Sequence, residues 1–353
     1  MRTKRILITR LGGFGDDLIA TPLIRFFARL GQQVEVLTQE PQGSIIFAHN
    51  PHIQQLRFHV RDSVKSDVLL RYLEDYRAKE GFDDAVQLNE SLEVRLALHP
   101  EDPAYSWSKP ERIARCNRNY YEECFRMAAE QLRDHKLRRT VERAMREEDP
   151  VTLYRPEMFF TPEEHDSLSA FRADRLQTGA TILWALAGSA THKTYPYADY
   201  VMLDLLETNP ELVIVTVGGP ECELLERGSR HPRLKRMANG WSFRQAALVA
   251  REYCEVVVAP DTGILHAAGG GQAATVGLFG HCTIEQSTKH FPHDYSLEAQ
   301  VDCAPCMRLV YDIRVQCPVD PVTTGAWCMS QGLSHERVRD HIGRALAVSL
   351  VPR

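Results

Sequence analysis

The chain has 353 residues, 44% apolar and 25% charged, with 42 Lys and Arg against 47 Asp and Glu for a formal charge of −5. That length exceeds one ordinary core and favours two domains in a soluble globular protein. It holds no run of roughly 18 apolar residues as a membrane helix requires, and its net acidity argues against a general polyanion binder. The basic start with a short apolar run before Arg10 reads as a first strand rather than a secretory leader. Nine cysteines, an odd count, fit free thiols or metal ligands in a reducing compartment, so a cytoplasmic protein is expected.

Strand-like runs at 6–9, 34–38 and 85–88 alternate with helix-length segments, as in a parallel sheet covered by helices. The first of these opens into Arg10-Leu-Gly-Gly-Phe-Gly-Asp-Asp-Leu. Gly13-x-Gly15 begins a dinucleotide fingerprint, but Leu18 stands where its third glycine belongs, and Asp16 and Asp17 would repel a pyrophosphate. These acids are either a helix cap and first-turn charges or, at a sheet edge beside a cleft, hold a general base. In the second case Gly12, Gly13 and Gly15 let an acceptor approach the backbone.

From 108 to 148 the chain is charged, with Tyr120, Tyr121, Phe125, Ala128 and Leu132 at helical spacing. Eleven Lys or Arg fall between Lys109 and Arg146. A solvated helix face is one reading; contact with a membrane surface, a phosphorylated lipid or a nucleic acid, with aromatics for stacking, is another. Thr161 followed by Pro162 caps a helix that continues toward Gly179, where a linker is expected.

A second alternating series follows at 181–185, 213–217, 256–259 and 275–279. Three of its strands end in loops suited to anions: Gly188 and Ser189 with Lys193 beyond, Gly218 and Gly219 before Glu221, and Asp261-Thr262-Gly263. Each alone is a turn or solvated surface; on one sheet edge they suggest a nucleotide pocket. Asp-Thr-Gly is also an aspartic-protease signature, but those enzymes need two facing loops, and a βαβ context surrounds this single one. His266 is either a packed histidine or a phosphate or ribose contact. The last helix begins at Ser334 and carries Val338, Ile342, Leu346 and Leu350 on one face. The expected fold is α/β, two Rossmann-like domains facing a cleft, at 1–175 and 176–333, with a terminal helix at 334–353.

Cys303, Cys306, Cys317 and Cys328, spaced x2, x10 and x10, are either free thiols or a structural zinc site.

Taken in order, Ile6 to Pro22, Asn50-Pro-His-Ile, Gly188-Ser, Lys193-Thr-Tyr-Pro, Gly218-Gly-Pro-Glu, Asp261-Thr-Gly-Ile-Leu-His, Leu278-Phe-Gly and Cys303 through Met329 resemble glycosyltransferase family 9. These are the ADP-heptose:lipopolysaccharide heptosyltransferases of the GT-B fold. The resemblance implies an inverting enzyme with Asp16 as general base. It places Lys193 and Thr194 at the donor diphosphate, and Asp261, Thr262 and Gly263 at donor phosphate and sugar hydroxyls. It implies a nucleotide-diphosphate sugar as donor and a glycan, glycolipid or other hydroxyl as acceptor. No obligatory catalytic cofactor is expected, with divalent metal as a stimulant at most. A dehydrogenase and a non-catalytic sugar-nucleotide binder are the competing classes; the incomplete fingerprint speaks against the first and Asp16 against the second.

Overall fold

The computed structural model describes residues 2–59, 66–88, 106–175, 179–228, 230–308, 317, 319 and 325–349. The chain divides into two compact units, Met1–Ala97 with Arg118–Phe159, and Leu98–Asn117 with Phe160–Arg353. Each is built on its own parallel sheet.

In the first unit β1 (Arg5–Thr9), β2 (Gln33–Thr38), β3 (Gln55–Phe58) and β4 (Asp84–Gln87) pair in parallel in the order β3-β2-β1-β4. Thr9 lies opposite both Leu37 and Gln87, so the loops after β1, β2 and β4 leave from one edge. The helix Phe14–Arg29 buries Leu18, Ile19, Leu23, Ile24, Phe26 and Phe27. Phe26 meets Phe125 edge to face at 5.4 Å, and Phe125 in turn meets Tyr154.

Where the periodicity predicts one helical stretch over 108–148, the structure has three helices, Lys109–Cys116, Tyr120–Gln131 and His135–Glu147. The breaks have a local cause. Asn119 accepts from the Tyr121 and Glu122 backbone, and Asp134 from that of Lys136 and Leu137, so each caps a new helix. Tyr121, Phe125, Ala128 and Leu132 are core residues, at most 1% exposed. Tyr121 and Phe125 therefore form no stacking platform. The first of the three helices belongs to the second unit.

In the second unit β5 (Ala180–Ala185), β6 (Leu212–Val217), β7 (Leu234–Arg236), β8 (Val256–Ala259), β9 (Ala274–Phe279) and β10 (Leu297–Glu298) form a parallel sheet in the order β10-β9-β8-β5-β6-β7. All residues of β5, β6, β8 and β9 are buried, which is why their sequences are continuously apolar rather than alternating. The helix expected from Thr161 to Gly179 is interrupted at Leu168, giving Pro162–Ser167 and Ser169–Arg175. Of the linker expected near Gly179, residues 176–178 lie outside the described residues. The helix His335–Ser349 packs on β8, β9 and the helix Ala198–Thr208 through Val338, Ile342, Ala345 and Leu346. Its large apolar side chains contribute roughly 1.5 to 3 kcal/mol each; Leu350 lies outside the described residues. Among the described residues no helix is long and apolar enough to cross a membrane.

Candidate functional site

In a doubly wound sheet, ligands bind beyond the carboxyl ends of the strands, where the connections part to opposite sides. In the second unit that point lies between β5 and β8. The loop leaving β5 is closed by Gly188 N–H donating to the Lys193 carbonyl at 2.9 Å and by a bridge between Ala187 and Thr194, which sets Lys193 on a short turn, Thr191–Lys193. A Cβ at Gly188 would stand 2.8 Å from Lys193 Cδ and 2.9 Å from Thr262 Cγ2, so glycine is what lets this loop meet the one after β8.

The two loops meet at a charge pair. Lys193 Nζ lies 3.4 Å from Asp261 Oδ2. His281 Nε2 approaches the same oxygen at 3.3 Å, while His266 Nε2 and the Ser287 hydroxyl lie 3.2 Å from Oδ1. An ionised carboxylate can only accept, so Nε2 carries the proton in both rings. Asp261 is buried; desolvation raises its carboxyl, but Lys193 and the two imidazoles outweigh it and hold the group well below the usual range. His192 stacks on His281 with ring centroids 4.1 Å apart. Burial pushes both imidazoles down, that of His192 furthest, aided by Lys193. The pocket therefore sets one acid against one lysine, with His192 and His281 pushed by burial toward their neutral form beside them.

The hydroxyls of Thr194 and Thr262 are buried and have no hydrogen-bond partner among the described residues. Buried polar groups are normally satisfied, so two orphaned hydroxyls flanking Lys193 and Asp261 mark a place for a polar ligand. Gly218 and Gly219 end β6, the neighbour of β5, and Glu221 is exposed in the turn Pro220–Glu223. The loops after β8, β5 and β6 thus lie side by side; Ser189 is exposed on the middle one. His266 is buried and turned to Asp261, and Gly263 opens a helix of only seven residues.

Asp261, His281 and Cys282 also place one ligand atom each within 4.8 Å of the others, as a metal site would. The donor set does not fit a metal ion. Both Asp261 oxygens already receive N–H or O–H donors, the Lys193 ammonium stands against one of them, and burial together with the Asp261 charge pushes the Cys282 thiol far up.

In the first unit the corresponding point lies between β1 and β4. Gly13 caps the helix Phe14–Arg29, and Asp16 Oδ2 accepts its N–H at 2.7 Å, so Asp16 does serve as a cap. Its other oxygen pairs with Arg10. Gly12 passes so close that a Cβ would stand 2.6 Å from Asp16 Cβ, and its carbonyl accepts from Gln39 at 2.8 Å. Gly15 sits in the first turn. Asp17 points into the core toward Thr38, and burial pushes its carboxyl well up.

Arg10, His192, His281 and Ser287 were not singled out by the sequence, although Arg10 and His192 lie inside loops that were. His281 directly follows the Leu278-Phe-Gly run at the end of β9.

No protein-family model and no curated protein matches the chain. Among solved structures it is similar over its whole length to the glycosyl transferase family 9 protein of Veillonella parvula, at 14% identity and a TM-score of 0.65, covering 98% of each chain. It is also similar to E. coli ADP-heptose lps heptosyltransferase II, at 13% and 0.61, covering 98% of this chain and 100% of that one. The chain shares the fold of these two structures. The iron-containing dodecameric glycosyltransferase TibC from enterotoxigenic E. coli shares it more loosely, at 9% identity and a TM-score of 0.56 over 98% of this chain and 77% of that one. Within this shared fold the α/β reading of both halves holds, and the site residues rest on the geometry above.

Proposed function

We propose that the protein is an inverting glycosyltransferase that moves a sugar, heptose or a related one, from a nucleoside-diphosphate donor, ADP-linked, to a hydroxyl of a glycan or glycolipid such as a lipopolysaccharide core. The observation that carries this reading is the convergence of Lys193, Asp261 and the two orphaned hydroxyls at the β5/β8 switch point, in a chain with the heptosyltransferase fold. Similar structures are described with ADP and with ADP-D-beta-D-heptose. In this reading Asp16 takes the proton of the acceptor hydroxyl as that oxygen bonds to the anomeric carbon. The bond from that carbon to the donor phosphate breaks on the opposite face, and the nucleoside diphosphate leaves with the electron pair. Lys193 and the loop at Thr262 and Gly263 stabilise the charge that grows there. Asp261 holds Lys193 and orients sugar hydroxyls, and the work is done in the cytoplasm.

A panel of ADP-, GDP-, UDP- and dTDP-sugars in thermal shift tests it. The ADP-sugar is expected to raise the melting temperature most, since a ligand at 100 times its Kd adds about 2.7 kcal/mol; no shift with any of the four would overturn the reading.

The four cysteines are read either as free thiols or as a structural zinc site that takes no part in transfer. All are free thiols of the second unit. Met307 turns through a φ of 53° just after the Cys-x2-Cys pair. Burial pushes the Cys306 thiol up while a hydrogen bond from the Arg308 backbone draws it back. Cys303, Cys306 and Cys317 are near enough to Cys328 to act on its charge. Among the described residues, however, the four sulfurs do not gather closely enough to group as metal ligands, so a zinc ion would have to draw them together. Elemental analysis of the purified protein separates the two: about one zinc per chain supports the site, and a metal-free protein of full stability refutes it.

A further inference from the structure

The Asp16 carboxylate rests on a cation for which neither the motif nor the resemblance has a use. Arg10 follows β1 and is fully buried. Its Nη1 donates to the Leu88 carbonyl at 2.8 Å, its Nη2 to Asp16 Oδ1, and its backbone N–H to the Leu37 carbonyl at 3.0 Å. The residue is thus tied to the ends of both strands that flank β1. A guanidinium does not give up its proton inside a protein, and a buried cation needs an anion. Asp16 Oδ1 is paired with it directly, while Asp17 lies beside them in the core, its carboxyl pushed up by burial.

On the Asp16 side the constraints are as tight. Gly13 N–H holds Oδ2, and Gly12 leaves room for the side chain only because it has no Cβ. Cation, cap and bare backbone fix the carboxylate from three sides, and its side chain is still 30% exposed.

We propose that Arg10 is a positioning residue for the transfer: it holds the Asp16 side chain in one orientation at the edge of the sheet where an acceptor hydroxyl arrives. The inference rests on the reading of Asp16 as the base. No bond to Arg10 forms or breaks; it acts only through the carboxylate beside it. Two further groups face the pair, Asp17 on the same helix and Cys124 on the helix Tyr120–Gln131, whose thiol burial pushes up to about 12.

Arg10→Met and Arg10→Lys are compared with the unaltered protein by ADP release from ADP-heptose on a lipopolysaccharide core acceptor, across pH, with ADP affinity measured alongside. Arg10→Met is expected to keep ADP affinity and lower kcat about 10²-fold, the scale of a misplaced reacting group. Removing a cation beside a carboxylate disfavours its anion, so the loss is expected to be greater on the acidic side and the acid limb to move to higher pH. Arg10→Lys restores the charge without the two-pronged grip, so the acid limb returns while kcat recovers only in part. An Asp17→Asn background separates that residue's own titration from the shift. Should Arg10→Met fail to fold, Arg10→Lys decides by the same readouts. If Asp16→Asn abolishes transfer while both Arg10 variants keep the normal kcat and pH profile, Arg10 does not position the base and the inference falls. If Asp16→Asn transfers normally, it is the base reading that falls.

Discussion

Lys193 and Asp261 are 68 residues apart in sequence and 3.4 Å apart in space, and neither is intelligible alone. The carboxylate neutralises much of the ammonium, so a diphosphate bound as proposed would compete for it and would gain a lysine that is already in place. Lys193→Ala is expected to weaken ADP binding about ten- to a hundredfold, the worth of a charged hydrogen bond, and titration calorimetry with unchanged affinity would refute the phosphate role. For Asp16 the choice of replacement matters. Asp16→Ala strips the counter-ion from a fully buried guanidinium and reports on stability as well as chemistry. Asp16→Asn keeps the shape and an oxygen for Arg10. With that variant transfer is expected to drop at least 10²-fold with ADP affinity intact; affinity lost together with transfer would sink the base assignment.

At the scale of elements, what was readable in the sequence depended on burial. Strands β1, β2, β4, β5, β6, β8 and β9 announce themselves because each is largely enclosed. The chain at β3 is Gln-Leu-Arg-Phe, at β7 Leu-Lys-Arg and at β10 Leu-Glu. These are short edge strands with too few residues to show a period, and they are placed by the neighbours they pair with. The helix caps at Asn119 and Asp134 were visible residue types, yet an apolar stripe counted across them hides the breaks. The site was legible where glycine and acid punctuate a strand end, as at Gly188 and Asp261. It was illegible where the partner comes from afar: Leu88 is 78 residues from Arg10, and Ser287 is 26 from Asp261. The contact at Gly188 gives this scale its own test. A methyl there must push Lys193 or the Thr262 loop aside, so Gly188→Ala is expected to cost ADP affinity at least tenfold while the melting temperature changes little. Normal affinity would show that the two loops need not touch.

For the whole molecule, the buried imidazoles set a pH dependence of folding. His192 and His281 titrate below 6.5 when folded, so between 6.5 and their folded values the unfolded chain binds more protons than the native one. Stability therefore falls as pH falls through that window, by about 1.4 kcal/mol per pH unit for each histidine. Melts at pH 7.5, 6.5 and 5.5 should show the decline, and His192→Asn should reduce its slope by one proton; an unchanged slope would mean that His192 is protonated in the fold.

The second unit is assembled from two stretches of chain, with 118–159 of the first unit strung between them. Its early piece is not a passing linker. Gln286 Nε2 donates to the Cys116 carbonyl at 3.0 Å, the Thr283 hydroxyl to Asn117, and Cys116 packs on Met307. On a ribosome this piece emerges before almost everything it will bind. It must wait, uncommitted, while some forty residues of the other unit are made. Heredity meets the same knot: a crossover at a single point cannot exchange one whole unit for that of a relative, because any cut that separates the bulk of the two strands the helix Lys109–Cys116 with the wrong parent. The pair of units is thus bound to be inherited together, and whatever ligand preferences they carry are expected to change side chain by side chain rather than by trading halves.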